Sequence, residues 1–87
     1  MKKILYVEDY KDTAEAVKQM LEGAGFEVEL SFHGKDGLEK TKEKKFDLVL
    51  LDVMLPDMSG WDIFKTLSTK KYHAKYAFLS VIPVSIE

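Results

Sequence analysis

The stretch DLVLLDVMLPDMSGWD, residues 47 to 62, carries the apolar run Leu48 to Leu51 up to a charge, Asp52, and then into Pro56, Ser59 and Gly60. A continuous apolar run is the signature of a strand covered on both faces. A carboxylate buried where such a strand stops is costly unless something pairs with it. Asp52 therefore either emerges into a wet cleft or meets a cation. Ser59 with Asp62 reads as a capping box that opens a helix, whose inner stripe would be Ile63, Phe64 and Leu67.

Working outward, the same pattern recurs upstream. In ILYVEDY, residues 4 to 10, the apolar run Ile4 to Val7 ends in Glu8 and Asp9. Asp12 and Glu15 read as a second capping box, and Val17, Met20, Leu21 and Ala24 as one buried helix face that ends at GAG, residues 23 to 25. In FEVELSF, residues 26 to 32, Phe26, Val28, Leu30 and Phe32 alternate with Glu27, Glu29 and Ser31. This predicts a strand with one solvated face or at a sheet edge. HGKDGLEKTKEKK, residues 33 to 45, predicts a turn at His33 and a weak helix with Leu38 inward and its lysines in solvent. Residues 76 to 86, YAFLSVIPVSI, carry no charge and predict a further buried strand.

Strands alternating with helices mean right-handed crossovers and a parallel sheet with helices on its faces, an α/β fold. Ligands in such sheets bind outside the carboxyl ends of the strands. Glu8, Asp9 and Asp52 all stand at such ends, so the topology brings them to one cleft.

Composition narrows the classes. The 87 residues make one small domain, 1–87, with net charge -2 and a pI near 5.7, which excludes nucleic-acid or membrane-surface binding driven by bulk charge. All 13 basic residues are lysines, so bidentate arginine recognition is excluded within the chain. With no cysteine there is no disulfide or thiolate metal site, as suits a reducing compartment. No apolar run reaches the length of a membrane span, and the start does not read as a signal peptide. The expected location is cytoplasmic.

Three carboxylates folded into one pocket repel each other, and a hard divalent cation such as Mg²⁺ relieves this. An aspartate beside that ion can also act as a nucleophile toward phosphorus. From spacing alone a metal or phosphate site and a set of solvated helix caps remain equally open. His73 reads as solvated among lysines, and Trp61 and Phe64 as helix residues facing the core or a neighbour.

ILYVEDY and DLVLLDVMLPDMSGWD together resemble the receiver domain of two-component response regulators. SFHGKDGLE resembles that family's second strand and turn, and YAFLS its fourth strand. The resemblance runs from Met1 to about Val81. It implies a flavodoxin-like parallel sheet in strand order 2-1-3-4 with helices on both faces. It also implies phosphorylation of Asp52 with Mg²⁺, from a histidine kinase or a small acyl phosphate. By the same resemblance Asp9 binds the metal directly, Glu8 reaches it through water and Met54 offers its backbone carbonyl. Ser80 matches the hydroxyl that contacts the phosphoryl group, and Pro56 and Gly60 match the loop that turns into the third helix.

The match also has gaps. The family pattern continues with a helix, a fifth strand ending in Lys-Pro and a last helix, whereas no lysine follows Lys75 here. The resemblance therefore implies a C-terminally truncated receiver that lacks the phosphate-contacting lysine. Its fourth strand, 76–86, would be an apolar edge, with dimerisation through it as the expected partner interaction. Three functions stay in view: a phospho-accepting receiver that is not a turnover enzyme, an interaction module that keeps only the fold, and a hydrolase with an aspartate nucleophile. The last usually carries a second Asp two residues on, where this chain has Met54.

Overall fold

The computed structural model describes residues 1–79. Its elements run β1 (Lys3–Val7), α1 (Lys11–Gly23), β2 (Glu27–Ser31), α2 (Gly34–Glu43), β3 (Leu48–Leu51), α3 (Gly60–Thr69) and β4 (Lys75–Phe78). The strands form one parallel sheet, as the alternating pattern implied, in the order β2-β1-β3-β4 that the resemblance implied. The register sets Val7 beside both Ser31 and Leu51, so β1, β2 and β3 end level at one edge.

Side-chain alternation along β1 divides the core between the two faces of the sheet. Ile4 and Tyr6 join Ala14 and Val28 on one face, with Val17 and Leu21 of α1 packed over them. Leu5 and Val7 join Phe46, Val49, Leu51, Ile63 and Leu67 on the other, beneath α2 and α3. A parallel strand flanked by helices needs apolar residues at every position, which is why Ile4 to Val7 shows no alternation. Among the described residues no helix is long and apolar enough to cross a membrane.

Several details depart from the sequence reading. The buried stripe of α1 is Ala14, Val17 and Leu21, while Met20 is 73 % exposed. Met20 lies about 60° round the helix from Val17, which puts it on the shoulder of the stripe. Ala24 and Phe26 are likewise exposed, because they lie in the turn between α1 and β2. Asp12 caps nothing: the cap position lies two residues earlier, at Tyr10, with no side-chain cap bond. Asp12 instead sits in the first turn, where a negative charge suits the helix dipole.

β2 lies at the sheet edge, one of the two alternatives its pattern offered, and its polar face is covered beyond the exposed Glu27. Ser31 is fully buried and Glu29 half-buried, because α2 lies over them, and Lys44 donates to Glu29 at 2.9 Å. Lys40 is an exception to the solvated lysines, half-buried and donating to the Leu30 carbonyl and the Asp36 carboxylate. β4 starts at Lys75 and is half-buried; the remainder of the expected strand, from Ser80 on, lies outside the described residues.

α3 closes at its C-terminus through Lys71, a non-glycine residue at φ 56°. Its N–H donates to Ser68 and the N–H of Tyr72 to Leu67, satisfying carbonyls that the helix end leaves open. A side chain in this left-handed region crowds its own backbone, and glycine does not. Lys71→Gly is therefore expected to stabilise the fold by roughly 1 kcal/mol, read as a higher urea midpoint.

Candidate functional site

The level strand ends bring Glu8, Asp9 and Asp52 together, with one carboxylate oxygen from each lying within 4.8 Å of the others. Their backbone is held by the sheet itself: the Glu8 N–H donates to Ser31 and the Asp52 N–H to Val7, extending the ladder by one rung on each side. Asp9 is exposed, Asp52 half-buried and Glu8 only 4 % exposed.

Glu8 keeps its buried place because both of its oxygens find donors. The Tyr6 hydroxyl donates to Oε1 at 3.2 Å and the Tyr10 N–H to Oε2 at 3.0 Å. Tyr6 and Glu8 are two residues apart on a strand and so share a face. Burial, with the charge of Asp52 nearby, pushes the Glu8 carboxyl above its ordinary range, against the pull of the Tyr10 amide. Burial and the charges of Glu8 and Asp52 likewise push the Tyr6 phenol far above its ordinary value.

From Asp52 the chain enters a short loop. The Met54 N–H donates to Asp52 Oδ1 at 3.2 Å, so the loop itself orients that carboxylate. The Gly60 N–H returns to the Val53 carbonyl at 3.1 Å, and Met54 and Ser59 form an antiparallel bridge. A Cβ on Gly60 would collide with the Asp52 carbonyl, which explains glycine at this position in the motif. Ser59 and Asp62 form the expected capping box at the start of α3. The next residue, Trp61, is half exposed and stacks on Phe78 of β4 with ring centroids 4.2 Å apart.

The Asp57 carboxylate accepts from the N–H groups of Gly34 at 2.7 Å and Lys35 at 2.9 Å, at the start of α2. The Lys35 amide first, and the Gly34 amide with it, hold this carboxyl below its ordinary value of 3.8. The stabilisation it supplies is thus fully present above pH 3.8 and is lost as the pH falls through the lowered value.

The acids expected at the strand ends are therefore brought together. Met54 lies in the loop beside them with its side chain exposed, and Ser80 lies outside the described residues. The sequence reading missed Tyr6 and Asp57. Tyr6 was absorbed into an apolar run, although its spacing of two from Glu8 was the available signal. Asp57 acts on amides 22 and 23 residues away, and no local pattern signals that.

A donor set of carboxylates alone suits a hard cation that takes oxygen ligands, and the buried, crowded Glu8 is the kind of group such a charge relieves. Comparison with known proteins gives the same address. The response regulator receiver domain family matches residues 4–84. The chain belongs to that family. It is 41 % identical over 78 residues to the transcriptional regulatory protein DltR of Streptococcus agalactiae, covering 90 % of this chain and 35 % of that protein. It is 45 % identical over 65 residues to CusR of Escherichia coli, covering 75 % of this chain and 29 % of that one. The receiver thus spans about a third of the length of these curated relatives. Among solved structures, the response regulator TrrA of Thermotoga maritima, in complex with Mg²⁺-BeF, superposes with a TM-score of 0.89 at 32 % identity. That match covers 95 % of this chain and 72 % of TrrA.

Two outcomes follow from the site's electrostatics. Asp52→Asn should stabilise the metal-free receiver by on the order of 1 kcal/mol, since one of three crowded charges is removed. Urea titration in EDTA measures this, and an unchanged or lower midpoint counts against the crowding. Tyr6→Phe should cost about 1–2 kcal/mol in the same assay, because a buried carboxylate oxygen loses its donor.

Proposed function

We propose that the chain is a phospho-accepting receiver of a two-component system, phosphorylated on Asp52 with Mg²⁺ by a histidine kinase. The observation that carries the reading is the convergence of Glu8, Asp9 and Asp52 at the carboxyl edge of the sheet, with Asp52 at the mouth of its loop. Asp9, Asp52 and the Met54 carbonyl would hold the metal, and Glu8 would reach it through water. The cation supplies charge neutralisation for the phosphoryl oxygens. An Asp52 oxygen attacks phosphorus, the bond from phosphorus to the donor's leaving atom breaks, and an acyl phosphate remains on the side chain. The chain is then a substrate of phosphorylation that assists its own modification, and not a turnover enzyme. Kinase partnership is supported by the TrrA structure solved with the histidine kinase ThkA, which matches this chain with a TM-score of 0.86 at 32 % identity.

Two features favour this reading over a hydrolase with an aspartate nucleophile. The second acid such enzymes carry is replaced by Met54, and Glu8 is held by Tyr6 and Tyr10 rather than aimed outward as a free base. A second role, self-association through the fourth strand, is favoured by the outer edge of β4, which pairs with β3 alone among the described residues. Sedimentation that returns a monomer at high micromolar concentration would reject that role and leave the first intact.

Trp61, stacked against β4 beside the site, is the natural reporter. Mg²⁺ should change its fluorescence saturably, beryllofluoride should bind only with Mg²⁺ present, and Asp52→Asn should remove the beryllofluoride response. A folded chain with no Mg²⁺ response overturns the reading.

A further inference from the structure

We propose that Asp57 is a positioning residue for the phosphoacceptor loop: by gripping the start of α2 it holds the loop that carries Asp52 and Met54 in its metal-binding shape. This inference deepens the function proposed above and rests on it for its link to phosphorylation. The loop is closed at its base by the Gly60–Val53 hydrogen bond and the Met54–Ser59 bridge. Leu55 and Met58 anchor the loop by packing against the core on that face of the sheet. Asp57 adds the directional restraint toward α2, with one carboxylate oxygen on each of two successive amides.

A second contact reinforces the grip. The Met58 side chain lies so close over Gly34 that a Cβ there would strike its thioether. The loop tip therefore docks through a charged hydrogen-bonded fork and an apolar contact side by side. α2 also has a cap of its own, the His33 ring, which accepts from the Asp36 N–H at 3.4 Å. That bond is long beside the 2.7 and 2.9 Å of Asp57. If the helix needed only capping, a Ser, Asp or Asn at position 33 would do it locally. A cap drawn from the acceptor loop ties two distant elements together instead. The tie leads to the acceptor itself, since the Met54 N–H on the same loop orients Asp52 Oδ1.

The test compares Asp57→Asn with Lys40→Met. The amide of Asn can accept at one atom only and turns an NH₂ toward the other N–H, so the fork opens with little change of volume. Lys40 ties α2 to β2 through the Leu30 carbonyl, away from the loop, so its loss weakens the same helix without touching the tip. Three quantities are read: Mg²⁺ affinity from Trp61 fluorescence, amide exchange at Met54 by NMR, and the urea midpoint. Asp57→Asn is expected to weaken Mg²⁺ binding roughly tenfold, in the range seen when residues that orient metal ligands are removed. It should also speed exchange at Met54 and slow phosphorylation by acetyl phosphate. Lys40→Met should lower the urea midpoint and leave Mg²⁺ affinity unchanged. Wild-type Mg²⁺ affinity and Met54 exchange in Asp57→Asn, whatever its urea midpoint, would reduce Asp57 to a helix cap and overturn the proposal. A wild-type chain that ignores Mg²⁺ would instead sink the phosphoacceptor reading, and Met54 exchange would still decide whether Asp57 fixes the loop.

Discussion

Like charges do not gather unaided, and the rest of this structure is arranged around three carboxylates held within 4.8 Å. The parallel register supplies the force. Because Val7 pairs with Leu51, any residue that follows β1 must emerge beside any residue that follows β3. The pairing is locked by the two core layers, which bury Ile4 to Val7 almost completely. Sliding β1 by one residue would exchange Ile4 and Tyr6 with Leu5 and Val7 between two differently packed layers. Hydrophobic burial thus pins the acids together, and the repulsion between them is spent locally on hydrogen bonds from Tyr6, Tyr10 and Met54.

Much of this was legible in the residues themselves. A parallel sheet with helices on its faces follows from alternation and the crossover rule, its strand order came only with the resemblance, and the meeting of Glu8, Asp9 and Asp52 at the strand ends follows from topology. What failed was finer. Met20 satisfied the helical spacing, yet the helix docks through Ala14, whose small side chain brings the backbone close and rotates Met20 outward. For β2 alternation left a solvated face and a sheet edge both open; the strand lies at the edge, and α2 buries Ser31 by tertiary packing that alternation does not report. Asp12 had the residue type and spacing of a cap, but the helix already starts at Lys11 with Tyr10 in the cap position, which leaves Asp12 inside the first turn.

The site residues divide the same way. The acids and Gly60 announce themselves, because their roles depend on position in a motif. Tyr6 and Asp57 do not, because their roles depend on which atoms the fold brings opposite them. A hydroxyl inside an apolar run and an acid in a turn are ordinary features until their partners are known.

The helix starts on this side of the sheet share one more property. Glu8 faces the Tyr10 amide ahead of α1, Asp57 the first two amides of α2, and Asp62 the Ser59 amide ahead of α3. Exposed helix N-termini are where proteins ordinarily catch phosphate. Here these amides are already answered by the chain's own acids, so a free anion arriving at the cleft meets negative potential rather than a cradle. On the phosphoacceptor reading proposed above, a cation among the acids would therefore have to precede the phosphodonor, because the chain's own carboxylates already stand at these amides.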